Sequence, residues 1–126
     1  MRLLLDTHVV LWTLSGLRPL SVAAREAIGQ ADELLFSVVS FAEIGVKAAV
    51  GGLTVPAGLR EHVQRTGVRV LPLDAEHGLA VQHLPMHHRD PFDRLLIAQA
   101  RSERLTVVSA NRHFDHYDVP LVNAAA

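Results

Sequence analysis

Apolar residues along the chain fall into short runs separated by longer stretches with helical spacing. The first run, Arg2–Leu5, is apolar at every position after its arginine, which is typical of a strand covered on both faces. Further strands are predicted at about residues 34–38, 68–73, 105–110 and 119–124.

Between these strands, apolar positions recur at the spacing of amphipathic helices. Helices are predicted at residues 9–16, 21–31, 40–52, 56–67, 74–85 and 90–103, and residues 111–117 form a short turn or helix. The ends carry familiar signals, with Ser21 as an N-cap and Gly16, Gly51 and Pro85 as stops.

The alternation of strands and helices indicates the fold class. It predicts an α/β protein whose parallel sheet has about five short strands and helices on both faces, an α/β/α sandwich. The length of 126 residues fits a single domain, 1–126, and 49% apolar residues suffice for a core. Ligands of such sheets bind beyond the carboxyl ends of the strands.

Composition narrows the classes of function. The absence of cysteine excludes a disulfide framework, a thiolate zinc site and a cysteine nucleophile, and it is compatible with a reducing cytoplasm. Asp6 and His8 interrupt the apolar N-terminus, so we expect a soluble, unexported, cytoplasmic protein with no membrane span. A net charge of −1 is low for a protein that coats nucleic acid, although a nuclease with metal-binding acids is compatible with it.

Acidic residues stand where this fold would place a site. Asp6 directly follows the first strand, Glu43 lies in the helix after the second strand, and Asp90 and Asp93 stand at the head of the last long helix. Each has a structural alternative as a helix cap or as an acid in a first helical turn.

Two of the acids fit their structural alternatives well. Ser40 and Glu43 have the spacing of a capping box, and Lys47 can pair with Glu43 four residues on. Asp90 fits an N-cap with Pro91 at the first helical position.

Asp93 fits its structural alternative poorly. At about 100° per residue, it lies between Ile97 and Ala100 on the apolar side of its helix, whereas Arg94 and Arg101 mark the opposite side, which we expect to be solvated. A carboxylate on the apolar side must be paired or bound to metal, because an isolated buried charge is costly.

The four acids are therefore expected to converge. Clustered carboxylates raise one another's pKa, and a hard cation such as Mg²⁺ or Mn²⁺ relieves their repulsion. This pattern favours metal-assisted hydrolysis of a phosphodiester. A zinc site is disfavoured, because H-E-x-x-H is absent and the eight histidines show no recurring ligand spacing. The loop motifs of NTPases, dinucleotide-binding enzymes and α/β-hydrolases are also absent.

Four segments, taken in order, resemble the PIN-domain family and specifically the VapC-type toxins of bacterial toxin–antitoxin pairs. They are LLLDTHVVLW, SVVSFAEIGVKAAVGGL, HHRDPFDRLLIAQA and LTVVSANRHFDHY. The resemblance implies a PIN-type fold and an endoribonuclease that uses Mg²⁺ or Mn²⁺. It further implies an RNA substrate, a cognate antitoxin that forms a hetero-oligomer with the toxin, and a homodimer.

The resemblance also implies roles for individual residues. Asp6, Glu43 and Asp93 would bind the metal and serve catalysis, with Asp90 as an additional site residue or cap. Ser109 resembles the small hydroxyl residue that follows the family's fourth strand.

One position departs from the family pattern. Asn111 stands where family members often carry an acid; it keeps a carbonyl oxygen but lacks the charge, which weighs against a second metal ion. Asp115 lies a turn later and is a poor substitute. Basic residues near these positions are candidates for guiding the RNA backbone: Lys47, His87, His88, Arg89, Arg94 and Arg112.

Two other functions fit the same sequence. Asn111 favours a non-catalytic PIN-like module that holds RNA or a protein without cutting it, and such a module would keep its RNA affinity in a chelator. A related nuclease that acts on DNA is the other alternative, because nothing in the sequence distinguishes a ribose from a deoxyribose substrate.

Overall fold

The computed structural model of the protein describes residues 1–16 and 18–126. Within these residues one sheet contains the strands β1 (Arg2–Leu5), β2 (Glu33–Ser37), β3 (Arg69–Leu71), β4 (Thr106–Ser109) and β5 (Leu121–Asn123). Their order is β3-β2-β1-β4-β5, and every pairing is parallel. The predicted parallel α/β sheet is confirmed.

The same described ranges contain the helices α1 (Thr7–Ser15), α2 (Val22–Gln30), α3 (Val38–Ala49), α4 (Leu59–Arg65), α5 (Ala75–Ala80) and α6 (Pro91–Glu103). Short 3₁₀ helices cover Val81–His83 and Arg112–His116. The helix expected at residues 74–85 is thus an α-helix followed by a 3₁₀ turn, and α4 begins three residues after the expected Pro56. Among the described helices, we find none with the length and apolar character needed to cross a bilayer.

Alternate side chains of the central strand β1 enter two separate cores. Leu4 packs with Ile97 of α6 on one face of the sheet, whereas Leu3 and Leu5 pack with Val9 of α1 on the other. Because helices cover both faces, a polar side chain in the middle of β1 would be buried without access to water. This explains the unbroken apolar run and confirms the predicted three layers.

The N-cap of helix α3 lies three residues earlier than the sequence indicated. Ser37, the last residue of β2, is its N-cap; the Ser37 hydroxyl accepts the backbone N–H of Val39 at 2.9 Å and donates to Gln99 Oε1 at 2.5 Å. The predicted capping box of Ser40 and Glu43 is therefore wrong. Because strand passes directly into helix, Ser40 is a buried residue inside the first turn and Glu43 lies further along α3.

Arg94 departs most clearly from its position on the helical wheel. Its expected solvated position is wrong, since the residue is 6% exposed. The guanidinium donates to four backbone carbonyls between Val81 and His88 at 2.9–3.3 Å, and to the Tyr117 hydroxyl at 3.3 Å. The segment between α5 and α6 folds over this side of α6, so Arg94 is poorly placed to guide an RNA phosphate.

Replacing Arg94 with methionine should destabilise the protein, because the four carbonyls would lose their donor. We expect the free energy of unfolding in urea to fall by about 3 kcal/mol. Arg101→Met changes an exposed arginine two turns later on the same helix, and this matched control should stay within about 0.5 kcal/mol of the parent. Equal losses in the two variants would contradict the structural role of Arg94.

Candidate active site

Polar side chains collect at the carboxyl end of the central strands. Asp6 directly follows β1, and its backbone N–H donates to the carbonyl of Val108 at 3.0 Å. Ser109 ends β4 on one side of β1, and Ser37 ends β2 on the other. Because parallel strands end at a common edge, the fold brings these residues together at the edge where such sheets bind ligands.

Asp6 is both a helix cap and a buried acid. Its Oδ1 accepts the backbone N–H of Thr7 at 2.7 Å, at the start of α1, and its Oδ2 accepts the Ser109 hydroxyl at 2.8 Å. Asp6 is 4% exposed. Burial raises the pKa of its carboxyl, despite the opposing effect of the Ser109 and Thr7 hydrogen bonds, and the charge of Glu43 adds to the rise.

Glu43 is held by groups from two helices. Thr7 Oγ1 of α1 lies 2.8 Å from Glu43 Oε1 and 2.8 Å from Ser40 Oγ. Lys47 donates its Nζ to Glu43 Oε2 at 2.5 Å, which confirms the predicted four-residue pair. This bond raises the pKa of Lys47, so the lysine stays charged beside the buried carboxylate.

The two acids at the head of α6 differ in their surroundings. Asp90 is the N-cap, as predicted, and its Oδ1 accepts the backbone N–H groups of Phe92 and Asp93 at 2.8 Å and 3.1 Å. Asp93 is buried, as predicted, and its Oδ2 lies 2.8 Å from His88 Nε2 and accepts Asn111 Nδ2–H at 3.1 Å.

The four acids come from three separate parts of the chain and interact electrostatically. The pKa of Asp93 is raised to about 6, first by burial and then by the negative charges of Asp6, Asp90 and Glu43, while the hydrogen bond from His88 opposes the rise. Ligand atoms of His88, Asp90 and Asp93 lie within 4.8 Å of one another. The structure thus assembles the acids that the sequence places far apart.

Four histidines lie close to one another beside Asp93. The rings of His88 and His113 stack with centroids 4.2 Å apart and planes within 4°. His87 packs edge-on against Tyr117 at 5.4 Å, and its centroid lies 5.8 Å from that of His116. The sequence singled out His87 and His88, whereas His113 and His116 join them only through the fold.

The remaining arginine candidates lie outside the carboxylate cluster. Arg89 and Arg112 are both exposed. Arg112 lines an open cavity of about 250 Å³ together with Ser109, Asn111 and Asp115. Asp115 is itself exposed, in keeping with its expected minor role.

Thr7 was missed as a site residue by the sequence reasoning. Its place directly after a strand-end acid was a readable signal, because hydroxyl side chains commonly support helix starts. Its contact with Glu43, however, depends on the packing of α1 against α3. Residue spacing alone could not show that packing.

The donor set suits a hard divalent cation. Asp6, Glu43 and Asp93 offer buried carboxylate oxygens, the ligand type that Mg²⁺ and Mn²⁺ prefer. Lys47 offsets the charge of Glu43, but the raised pKa values of Asp6 and Asp93 indicate that burial and repulsion still oppose ionisation there. A bound cation would remove that opposition.

A family model described as PIN domain matches residues 3–120. The chain belongs to the PIN-domain family, as its sequence motifs indicated. It is also similar to Ribonuclease VapC22 of Mycobacterium tuberculosis (strain ATCC 25618 / H37Rv), with 32% identity over 93% of this chain and 92% of that protein.

Three solved structures of low sequence identity share the fold. VapBC2 from Rickettsia felis, bound to a DNA fragment from its promoter, matches with a TM-score of 0.71 and 14% identity over 98% of this chain and 99% of that chain. FitAcB from Neisseria gonorrhoeae matches with a TM-score of 0.67 and 19% identity over 96% of each chain. VapBC-1 from nontypeable Haemophilus influenzae matches with a TM-score of 0.68 and 20% identity over 98% of each chain. At these identities the likeness establishes the fold alone.

Asp93→Asn should stabilise the metal-free protein at about pH 7.5. The pKa of Asp93 is raised from 3.8 to about 6 in the folded chain, so the folded state favours the protonated carboxyl. The stabilisation by this bound proton is complete below pH 3.8 and is lost as the pH rises through about 6. An uncharged side chain avoids this loss. In EDTA, we expect the free energy of unfolding in urea to rise by on the order of 1 kcal/mol at about pH 7.5, and the gain to vanish near pH 4.

The matched control for this prediction is Asp118→Asn, which changes an exposed aspartate. Its free energy of unfolding should match that of the parent at both pH values. A lower stability of Asp93→Asn than of this control at about pH 7.5 would show that the carboxylate stabilises the metal-free fold.

Proposed function

We propose that this chain is an endoribonuclease that depends on Mg²⁺ or Mn²⁺ and is the toxin of a toxin–antitoxin pair. The observation that carries the proposal is the burial of Asp6, Glu43 and Asp93 at the carboxyl edge of the sheet, where burial and mutual repulsion raise the pKa of two of them. The similarity to Ribonuclease VapC22 supports RNA as the substrate.

Asp6, Glu43 and Asp93 are the residues that would hold the cation, with Asp90 beside them as the cap of α6. The bound cation would supply Lewis-acid stabilisation of charge on the phosphodiester and lower the pKa of an attacking water. Around the acids, Ser109 holds one oxygen of Asp6. Such hydrogen bonds fix carboxylates in orientation and thereby favour a defined metal geometry.

RNA would approach over the exposed residues next to the cluster. His87, Arg89 and Arg112 have exposed side chains and adjoin His88, Asp90 and Asn111 in the chain, so they can contact phosphate oxygens. The stacked rings of His88 and His113 offer a flat surface next to Asp93. A single-stranded segment can use such surfaces, because its unstacked bases are free to contact aromatic rings.

The proposed partners are a cognate antitoxin and a second copy of the chain. The structural neighbours VapBC2 and VapBC-1 support the antitoxin, since both are VapBC proteins and the former was solved on promoter DNA. We expect the antitoxin to block the carboxylate cleft in a cytoplasmic hetero-oligomer.

Asp6→Asn and Asp93→Asn should each reduce metal-dependent RNA cleavage by at least about 100-fold, because each removes a charged metal ligand. Cleavage of a labelled RNA would be followed with Mn²⁺, with Mg²⁺ and in EDTA, beside a DNA of matched sequence. Asp118→Asn, an exposed aspartate, is the control and should cut at the parent rate.

Three results would contradict this assignment. Undiminished cleavage by both acid variants would contradict the assignment of Asp6 and Asp93 to the active site. Cleavage of the matched DNA but not of the RNA would identify DNA as the substrate. RNA binding that persists in EDTA without cleavage under any condition would identify a binding module.

Expression of the parent chain without an antitoxin should arrest bacterial growth, because free toxin would cleave cellular RNA. Asp6→Asn should relieve the arrest, and Asp118→Asn should not. The measurement is colony formation after induction, with immunoblots to confirm equal protein levels. Growth at the rate of an empty-vector strain, with active folded protein present, would contradict the toxin role.

A further inference from the structure

Asn111 is bound through its backbone N–H and through both polar atoms of its side chain. Its backbone N–H donates to Ser109 Oγ at 2.9 Å, and its Oδ1 accepts the backbone N–H of His113 at 3.0 Å, which caps the following 3₁₀ helix. Its Nδ2 donates to Asp93 Oδ2 at 3.1 Å. The carbonyl oxygen, which the sequence suggested as a weak metal ligand, is therefore used by the backbone.

His88 reaches the same carboxylate oxygen. Its Nε2 lies 2.8 Å from Asp93 Oδ2, and a carboxylate that binds a cation is ionised and can only accept, so Nε2 carries the hydrogen. The His88 ring stacks on His113, the residue whose backbone is bound to Asn111. These four residues, Asp93, Asn111, His113 and His88, form a closed ring of contacts.

Both donors use one oxygen of Asp93 and leave the other free. Asp93 Oδ1 has no hydrogen-bond partner among the described residues. No fully buried side-chain oxygen or nitrogen in the described ranges lacks a partner, so Oδ1 is not fully buried. The free oxygen is therefore the one that Asp93 can present to a cation.

We infer that Asn111 is a positioning residue that turns Asp93 Oδ1 towards the cation, and that it does so as a donor rather than as a metal ligand. This inference rests on the proposed function. Asn111 also reaches Asp6, because its backbone N–H donates to Ser109 Oγ, which donates in turn to Asp6 Oδ2. An aspartate at this position would lose the donor and add a charge that repels Asp93.

Serine at this position separates the two roles of the side chain. Asn111→Ser keeps an oxygen that can cap the 3₁₀ helix, adds no charge and is too short to reach Asp93. Asn123→Ser is the matched control, because Asn123 lines the same cavity and its Oδ1 accepts the backbone N–H of Ala125 at 2.9 Å.

Binding of Mn²⁺ to the full chain is measured by electron paramagnetic resonance of the free ion. We expect Asn111→Ser to weaken Mn²⁺ affinity about 10-fold, the size of effect usual for a residue that orients a ligand. Asn123→Ser should leave the affinity unchanged. Urea unfolding in EDTA should give both variants the same small loss of stability.

Several results would overturn the inference. Parent-like Mn²⁺ affinity in Asn111→Ser would show that Asp93 needs no donor from residue 111. A loss of stability in EDTA much larger than that of Asn123→Ser would assign Asn111 a structural role. A pulsed-resonance signal from a directly bound imidazole nitrogen, abolished by His88→Gln, would show His88 to be a ligand instead of the second donor.

Failure of the proposed function has a different signature. If the parent chain binds no Mn²⁺, both the proposed metal dependence and the positioning role of Asn111 are contradicted. If the parent binds Mn²⁺ with the expected sensitivity to Asn111→Ser but cuts neither RNA nor DNA, the positioning role stands and the nuclease function does not.

Discussion

The main physical constraint on the site is the repulsion between carboxylates that the fold buries close together. A parallel sheet ends its strands at one edge, so Asp6 after β1 must lie near whatever the neighbouring elements place there. In this fold the neighbours are Glu43 and Asp93, and burial with mutual repulsion raises the pKa of Asp6 and Asp93. Such an arrangement opposes folding unless a cation accompanies it, and it therefore favours a metal-binding function.

Most groups that hold these acids are small hydrogen-bond donors. Asp6 is bound by a backbone N–H and by the Ser109 hydroxyl, and Asp93 is bound by an amide and an imidazole. Such donors orient the carboxylate oxygens while adding little positive charge to compete with a metal ion. Lys47 is the exception, and it pairs with Glu43 at a half-exposed margin of the cluster.

Helix α6 shows both the use and the limit of sequence periodicity. The helical wheel predicted that Asp93 faces the apolar side of α6 and that Arg94 faces solvent. The prediction for Asp93 is confirmed, whereas the prediction for Arg94 is wrong. The error arises because the segment between α5 and α6 covers Arg94 with backbone carbonyls. Periodicity describes one helix, and it contains no information on a loop that packs over the polar face.

The sequence by itself predicted the strands, most helix boundaries, the cap at Asp90 and the four candidate site acids. Each of these follows from residues close in the chain, through burial of apolar runs or satisfaction of backbone N–H groups. Only the tertiary structure decided that Ser37 rather than Ser40 caps α3, that Thr7 meets Glu43, and that Asn111 donates to Asp93. These contacts join residues brought together by the packing of separate elements. Hydrogen bonds of about 3 Å require that packing to be precise, and residue spacing does not contain this information.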